Sequence, residues 1–177
     1  APNRWTADQL RAEAAWESQA RVVPALAVGA GDRAEPRSEA GVVTIGLDSS
    51  ARELVDRLSG DAATEHLDAG SLTPSLLARL RTDPPRVVVN AEEFPTSLEQ
   101  LALMGTGAAL VTTANDRTRY EVLDGFNALV AAPGSDAFTT AIGALLEDSE
   151  LRAEVAGNGR ATASRYGSLA TDATIGA

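Results

Sequence analysis

Four short aliphatic runs, in "GVVTIGL", "RVVVN", "AALVTT" and "NALVAA", recur along the chain from Gly41, and stretches with helical spacing separate them. Runs so short, β-branched and free of polar alternation suit strands buried on both faces. Between them, "SSARELVDRLSG" sets Leu54, Val55 and Leu58 on one side of a helix that Gly60 stops. "LTPSLLARLRTD" is helical until Pro84 and Pro85, "TSLEQLALMGTG" is a helix ending in glycines, and "DAFTTAIGALLED" is one opened by Ser135 or Asp136. "ELRAEVAGNGRATASRYG" predicts a last helix broken near Gly157, "TEHLDAG" a further short strand, and "TRYEVLDG" a short helix. Strands alternating with helices need crossover connections, hence a parallel sheet covered on both faces. The expectation is an α/β, Rossmann-like three-layer domain over 41–177, with a mostly parallel sheet of roughly five strands.

Residues 1–40 read as a separate helix and linker. Thr6 and Gln9 form a capping-box pair, and Ala7, Leu10 and Ala14 share a face; Trp5 and Trp16 are expected to pack this helix against the domain. The Gly- and Pro-rich stretch that follows matches a dinucleotide fingerprint at Gly29, Gly31 and Ala34. What comes next contains Pro36 and no apolar periodicity, whereas that fingerprint must open a helix, so a plain loop is the better reading.

Composition removes whole classes of chemistry. All fifteen basic residues are Arg, so a lysine Schiff base, a lysine base and a phosphate loop of the GxxxxGK type are excluded. The same absence rules out a phosphoacceptor receiver domain, which needs a Lys late in its sheet. There is no Cys and one His, His66, which leaves no thiolate metal site and no multi-histidine zinc site; neither metal nor cofactor is expected. A net charge of −10 repels nucleic acid, and no apolar run reaches the roughly twenty residues of a membrane span. The chain is expected to be cytoplasmic, and its start, "APNRW" without Met, suggests a fragment.

The chemistry gathers at "NAEEFPTSLEQLALMG", residues 90–105, where the strand "RVVV" ends and a helix opens near Thr96. In open α/β sheets ligands bind beyond the carboxyl ends of strands, near helix N-termini. There Glu92 and Glu93 can accept hydrogen bonds from sugar hydroxyls, and the NH groups about Thr96 can face a phosphate. On spacing alone the two acids read first as solvated loop residues, one favouring the helix dipole. His66 reads as half-buried rather than ligand-facing, and Arg117 and Arg119 as an exposed loop pair that could reach phosphate.

"EEFPTSLEQLALMGTGAALV", followed by "VLDGFNALVAAPGSDAFTTAIGALLEDSELRAEVAGNGRATASRYGS", resembles the C-terminal domain of retaining GT-B glycosyltransferases, the glycogen-synthase-like and mannosyltransferase-like group. Those enzymes carry E-x-F-G-x-x-x-x-E-A-x-A-x-G-x-P-V-V and then D-G-x-N-G-x-L-V before an amphipathic helix. The resemblance implies that Glu92 contacts donor-sugar hydroxyls, with Phe94 on the motif Phe and Gly105 on the glycine that ends the helix. Gln100 falls on the second motif Glu, the ribose ligand, with Glu99 one position early; Asp124, Gly125 and Asn127 match the later loop. Arg52 would hold the donor diphosphate.

Three departures bear on function. Pro95 replaces a glycine and removes an NH, Gly107 stands where Pro is usual, and no Lys can join Arg52 at the diphosphate. The resemblance thus implies a nucleotide-sugar-binding half, metal-independent, with weak or lost binding of a nucleoside diphosphate sugar and no catalytic residue of its own. Its acceptor-binding N-terminal domain would be missing, so whether it is an enzyme depends on that partner. The alternative is a non-catalytic Rossmann-like scaffold module derived from a glycosyltransferase.

Overall fold

In a computed structural model of the protein, residues 40–113, 118, 120–132 and 136–175 are described. The helix and linker expected over 1–40, including the Gly29, Gly31 and Ala34 match, lie outside these residues, as do Arg117, Arg119 and Ser135.

The aliphatic runs form the strands: β1 (Ala40–Ile45), β2 (Ala63–Leu67), β3 (Val87–Asn90), β4 (Ala109–Thr112) and β5 (Leu129–Val130). All pairs are parallel, in the order β2-β1-β3-β4-β5. The helices are α1 (Ser49–Ser59), α2 (Pro74–Thr82), α3 (Ser97–Met104), α4 (Ala137–Glu147) and α5 (Ser149–Ile175). The expected α/β architecture with a parallel five-stranded sheet is the observed one.

Register decides which residue faces which layer. Val43, Val88 and Leu110 are in register across β1, β3 and β4, and with Ile45 they meet Leu77 and Leu80 of α2 and Leu101 and Leu103 of α3. On the other face Val42, Val87 and Ala109, also in register, pack with Val89 and Val111 against Val55 of α1 and Phe138, Ile142 and Leu145 of α4. Nearly continuous burial of β1, β3 and β4 follows from helices on both faces.

Side-chain caps start the helices. The Ala51 NH donates to Asp48 Oδ1 at 2.8 Å to open α1, Thr73 caps α2 ahead of Pro74, and Thr96 opens α3. Gly60, at φ +58°, ends α1. Asp136 occupies the N-cap position of α4 without a side-chain cap bond.

Two expectations are corrected. The described residues of "TRYEVLDG" form turns, not a helix, because side chains take over the backbone groups a helix would have used. Asn127 Oδ1 accepts from the Leu123 NH at 2.8 Å, Asn127 Nδ2 donates to the Glu121 carbonyl at 2.7 Å, and Asp124 Oδ1 accepts from the Val130 NH at 2.9 Å. The last helix is not broken at Gly157, since α5 runs through both Gly157 and Gly159. Leu151 and Val155 pack with the α1/α4 layer and Ala163 and Tyr166 with the α2/α3 layer, so tertiary burial outweighs the poor glycine propensity. Gly159 is there for close approach: a Cβ would stand 3.1 Å from the Asn127 carbonyl oxygen and 3.4 Å from Met104 Cγ, whereas one on the exposed Gly157 would meet nothing within 4 Å.

Gly159→Val should therefore destabilise the fold by about 1–3 kcal/mol through overpacking. Gly157→Ala should stabilise it by about 0.5–1 kcal/mol. Urea midpoints at unchanged m-value test both. A second expectation concerns pH: partial burial, and then the Glu121 carboxylate, raise the Tyr166 phenol above its ordinary value, with Arg165 opposing. The folded state then holds that proton more tightly than the unfolded chain. Its contribution is whole below roughly pH 10 and is lost as pH rises through the folded value. Tyr166→Phe should flatten that alkaline decline in Tm.

Candidate functional site at the carboxyl edge of the sheet

The strand order places the site. The chain leaves β1 for β2 on one side and returns to β3 on the other, so the winding reverses between β1 and β3, where open α/β sheets bind ligands. Three loops meet there, after β1, β2 and β3. Gly46 turns the first at φ +73°, and a Cβ on it would come within 3.4 Å of Glu92 Cγ; the missing side chain lets the β3–α3 loop lie against it. The Gly46 NH donates to the Leu67 carbonyl at 3.0 Å and the Ala91 NH to the Ile45 carbonyl at 2.9 Å, which continues the ladder into the loops.

Arg52 and Glu92 tie these loops together. From the first turn of α1, Arg52 Nε donates to the Leu47 carbonyl at 2.8 Å, and its Nη2 to Asp68 Oδ1 at 3.0 Å and, less closely, to the Leu67 carbonyl at 3.4 Å. Glu92, partly exposed, accepts from the Gly70 NH through Oε1 at 2.8 Å, while its carbonyl accepts from Thr113 Oγ1 at 2.8 Å. One cation and one carboxylate thus lock the ends of β1, β2 and β3, and both reach the surface.

The other predicted residues divide by exposure. Glu93 is exposed, Phe94 of the same loop is 68% exposed, and Pro95 after it is buried. Thr96 and Glu99 form a capping box: Thr96 Oγ1 accepts from the Glu99 NH at 3.3 Å and Glu99 Oε2 from the Thr96 NH at 2.7 Å. Gln100 has no exposed surface; its Nε2 donates to Thr112 Oγ1 at 2.7 Å, and its buried Oε1 has no hydrogen-bond partner. The acid of this helix that stands at the surface is therefore Glu99. His66 lies under α1 with both ring nitrogens engaged, Nδ1 with Thr44 Oγ1 at 2.7 Å and Nε2 with Asp56 Oδ1 at 2.9 Å. The Asp56 carboxylate accepts from Nε2–H.

Beside this lock a recess of about 170 Å³ opens between the N-termini of α1 and α4, lined by Gly46, Leu47, Asp48, Ala91, Phe138 and Thr139. That is smaller than the roughly 300–1,000 Å³ of sites that enclose drug-sized ligands. Sequence reasoning missed Asp68 and the recess, and it read Asp136, at the rim, only as a helix opener. Asp48 was legible as a cap before "SSARE"; Asp68, sixteen residues from Arg52, left no local signal. Among the described residues no group of three or more His, Cys, Asp or Glu could hold a metal ion, and no helix is long and apolar enough to cross a membrane.

This parallel sheet, covered by helices on both faces, is a Rossmann-like fold that matches the C-terminal domains of GT-B glycosyltransferases. No protein-family model and no curated protein matches the sequence. In structure, the chain is similar to the C-terminal domain of a group 1 family glycosyl transferase, LpcC, from Francisella tularensis, with a TM-score of 0.50 and 15% identity over 70% of this chain and 84% of that one. It is similar also to TarM of S. aureus, with a TM-score of 0.51 and 12% identity over 76% of this chain. It spans 34% of the TarM chain. At these identities the likeness is one of fold.

The capping box makes one stability prediction that is separate from ligand binding. Thr96→Ala should cost about 1 kcal/mol, read as a lower urea midpoint.

Proposed function

We propose that the chain is the donor-side half of a GT-B glycosyltransferase, binding a nucleoside diphosphate sugar at the β1/β3 edge and transferring nothing by itself. The observation that carries this reading is the Arg52–Glu92 lock, a guanidinium and a carboxylate fixed by main-chain partners at the point where α/β sheets of this winding bind ligands. The fold likeness supports it, and so does the TarM crystal structure, a complex that contains UDP.

In this reading Arg52 faces the diphosphate, and Glu92 accepts a hydrogen bond from a donor-sugar hydroxyl. Glu93 and Phe94 form the exposed lip, and the NH groups near Thr96 lie at the opening of α3. Glu99, with Oε2 held in the capping box, offers Oε1 to a ribose hydroxyl, while Gln100 backs the site from inside through Thr112. In the complete protein an N-terminal domain closes over the recess and presents the acceptor. The acceptor oxygen then bonds to the anomeric carbon as the bond to the diphosphate breaks, the acceptor proton passes to the departing diphosphate oxygen, and configuration is retained without a metal. The developing charge on the diphosphate falls to Arg52, with no lysine to share it. A cytoplasmic location goes with a soluble nucleotide-sugar donor.

A second reading, a non-catalytic scaffold, is favoured by one specific observation: Arg52 already spends Nε and Nη2 on partners within the chain. Thermal unfolding with UDP, GDP, ADP and dTDP separates the two. Binding to the folded state at a hundred times Kd should add roughly 2.7 kcal/mol, and Arg52→Ala should remove the shift. No shift with any of the four would establish the scaffold.

A further inference from the structure

We infer that Asp68 is a built-in competitor for the donor diphosphate, an exposed carboxylate that occupies the Arg52 guanidinium until the ligand displaces it. The inference rests on the reading of Arg52 as the diphosphate ligand, and names what regulates it.

The two kinds of contact that Arg52 makes differ in strength and in freedom. Its Nε is bound to the Leu47 carbonyl at 2.8 Å, a backbone group of a buried residue in the loop just after β1. That anchor orients the guanidinium. Nη2 lies 3.4 Å from the Leu67 carbonyl and 3.0 Å from Asp68 Oδ1, so the carboxylate is its nearer partner. The Asp68 side chain is 89% exposed and that of Arg52 30%, so the pair sits at the solvent boundary, where screening leaves such bridges weak. The Asp68 side chain is also not what shapes its loop: the turn is closed by the Ser71 NH on the Asp68 carbonyl at 3.2 Å and by the Gly70 NH on Glu92. A diphosphate carries more charge than one carboxylate and more acceptor oxygens. It can take Nη2 from Asp68 while Nε stays on Leu47, so the cation changes partner without being repositioned.

Asp68 thus acts on the ligand only through Arg52, and its removal should help binding. UDP titrated calorimetrically into the full chain should bind Asp68→Asn roughly two- to five-fold more tightly than the unaltered protein, the range that an exposed ion pair spans. The gain should shrink toward one at high salt, which screens the pair. Asp61→Asn, an exposed residue before β2, makes the same change in net charge and should leave UDP affinity unchanged, and uridine, without phosphates, should not distinguish Asp68→Asn from the parent. Equal UDP affinity in the parent and Asp68→Asn, or an equal gain in Asp61→Asn, overturns the inference while leaving the donor reading intact. UDP binding to none of the proteins overturns both.

Discussion

The parallel pairing of β1 with β3 is the contact on which the rest of this structure depends. Val42, Val43 and Ile45 of the one and Val87, Val88 and Val89 of the other are essentially without exposure, and their alternate side chains supply the centre of both apolar layers. Because β2 and β4 add outward from this pair, the winding reverses within it, and the loops from β1 and β3 must open at the same edge. The core and the candidate site are therefore two ends of one constraint: the pairing that buries the valines also brings Gly46 against Glu92.

At that edge, residues that look like ligand contacts also hold the fold. Arg52 stitches β1 to the loop after β2, and Glu92 stitches that loop to the one after β3. The carbonyl of Leu47 and the NH of Gly70, in the loops after β1 and β2, take these charged side chains as partners, and each side chain also keeps some surface toward solvent.

Much of the architecture was legible from local patterns. Asp48, Thr73 and Thr96 announce three helices because caps act within one turn, and the β-branched runs announce strands because burial on both faces leaves no room for polar alternation. The pattern misled where side chains or packing act over a distance. "TRYEVLDG" has helical spacing, yet Asn127 binds the backbone of Glu121 and Leu123 into turns, and Asp124 turns its carboxylate to the Val130 NH of β5. Gly157 and Gly159 look like a helix end, yet α5 continues across them because Val155 is buried on one layer and Ala163 on the other. At the site, the capping-box role of Glu99 could be read from Thr96 three residues before it, but not the burial of Gln100, which depends on Thr112 of the neighbouring strand.

The sequence by itself determined the class of fold, the parallel arrangement and the junction where acids meet a helix, since each follows from periodicity and caps that act over a few residues. It determined also what chemistry is absent: with no Lys and no Cys, there is no lysine ammonium and no thiolate, and every Lys or Arg cation of the chain is an arginine. Tertiary structure alone decided that Arg52 faces Asp68, that Glu92 reaches Gly70, that Gln100 is turned inward and that a recess opens between two helix N-termini. Those facts depend on which strand lies beside which, and strand order is set by burial across the whole sheet, which no short stretch of the chain encodes.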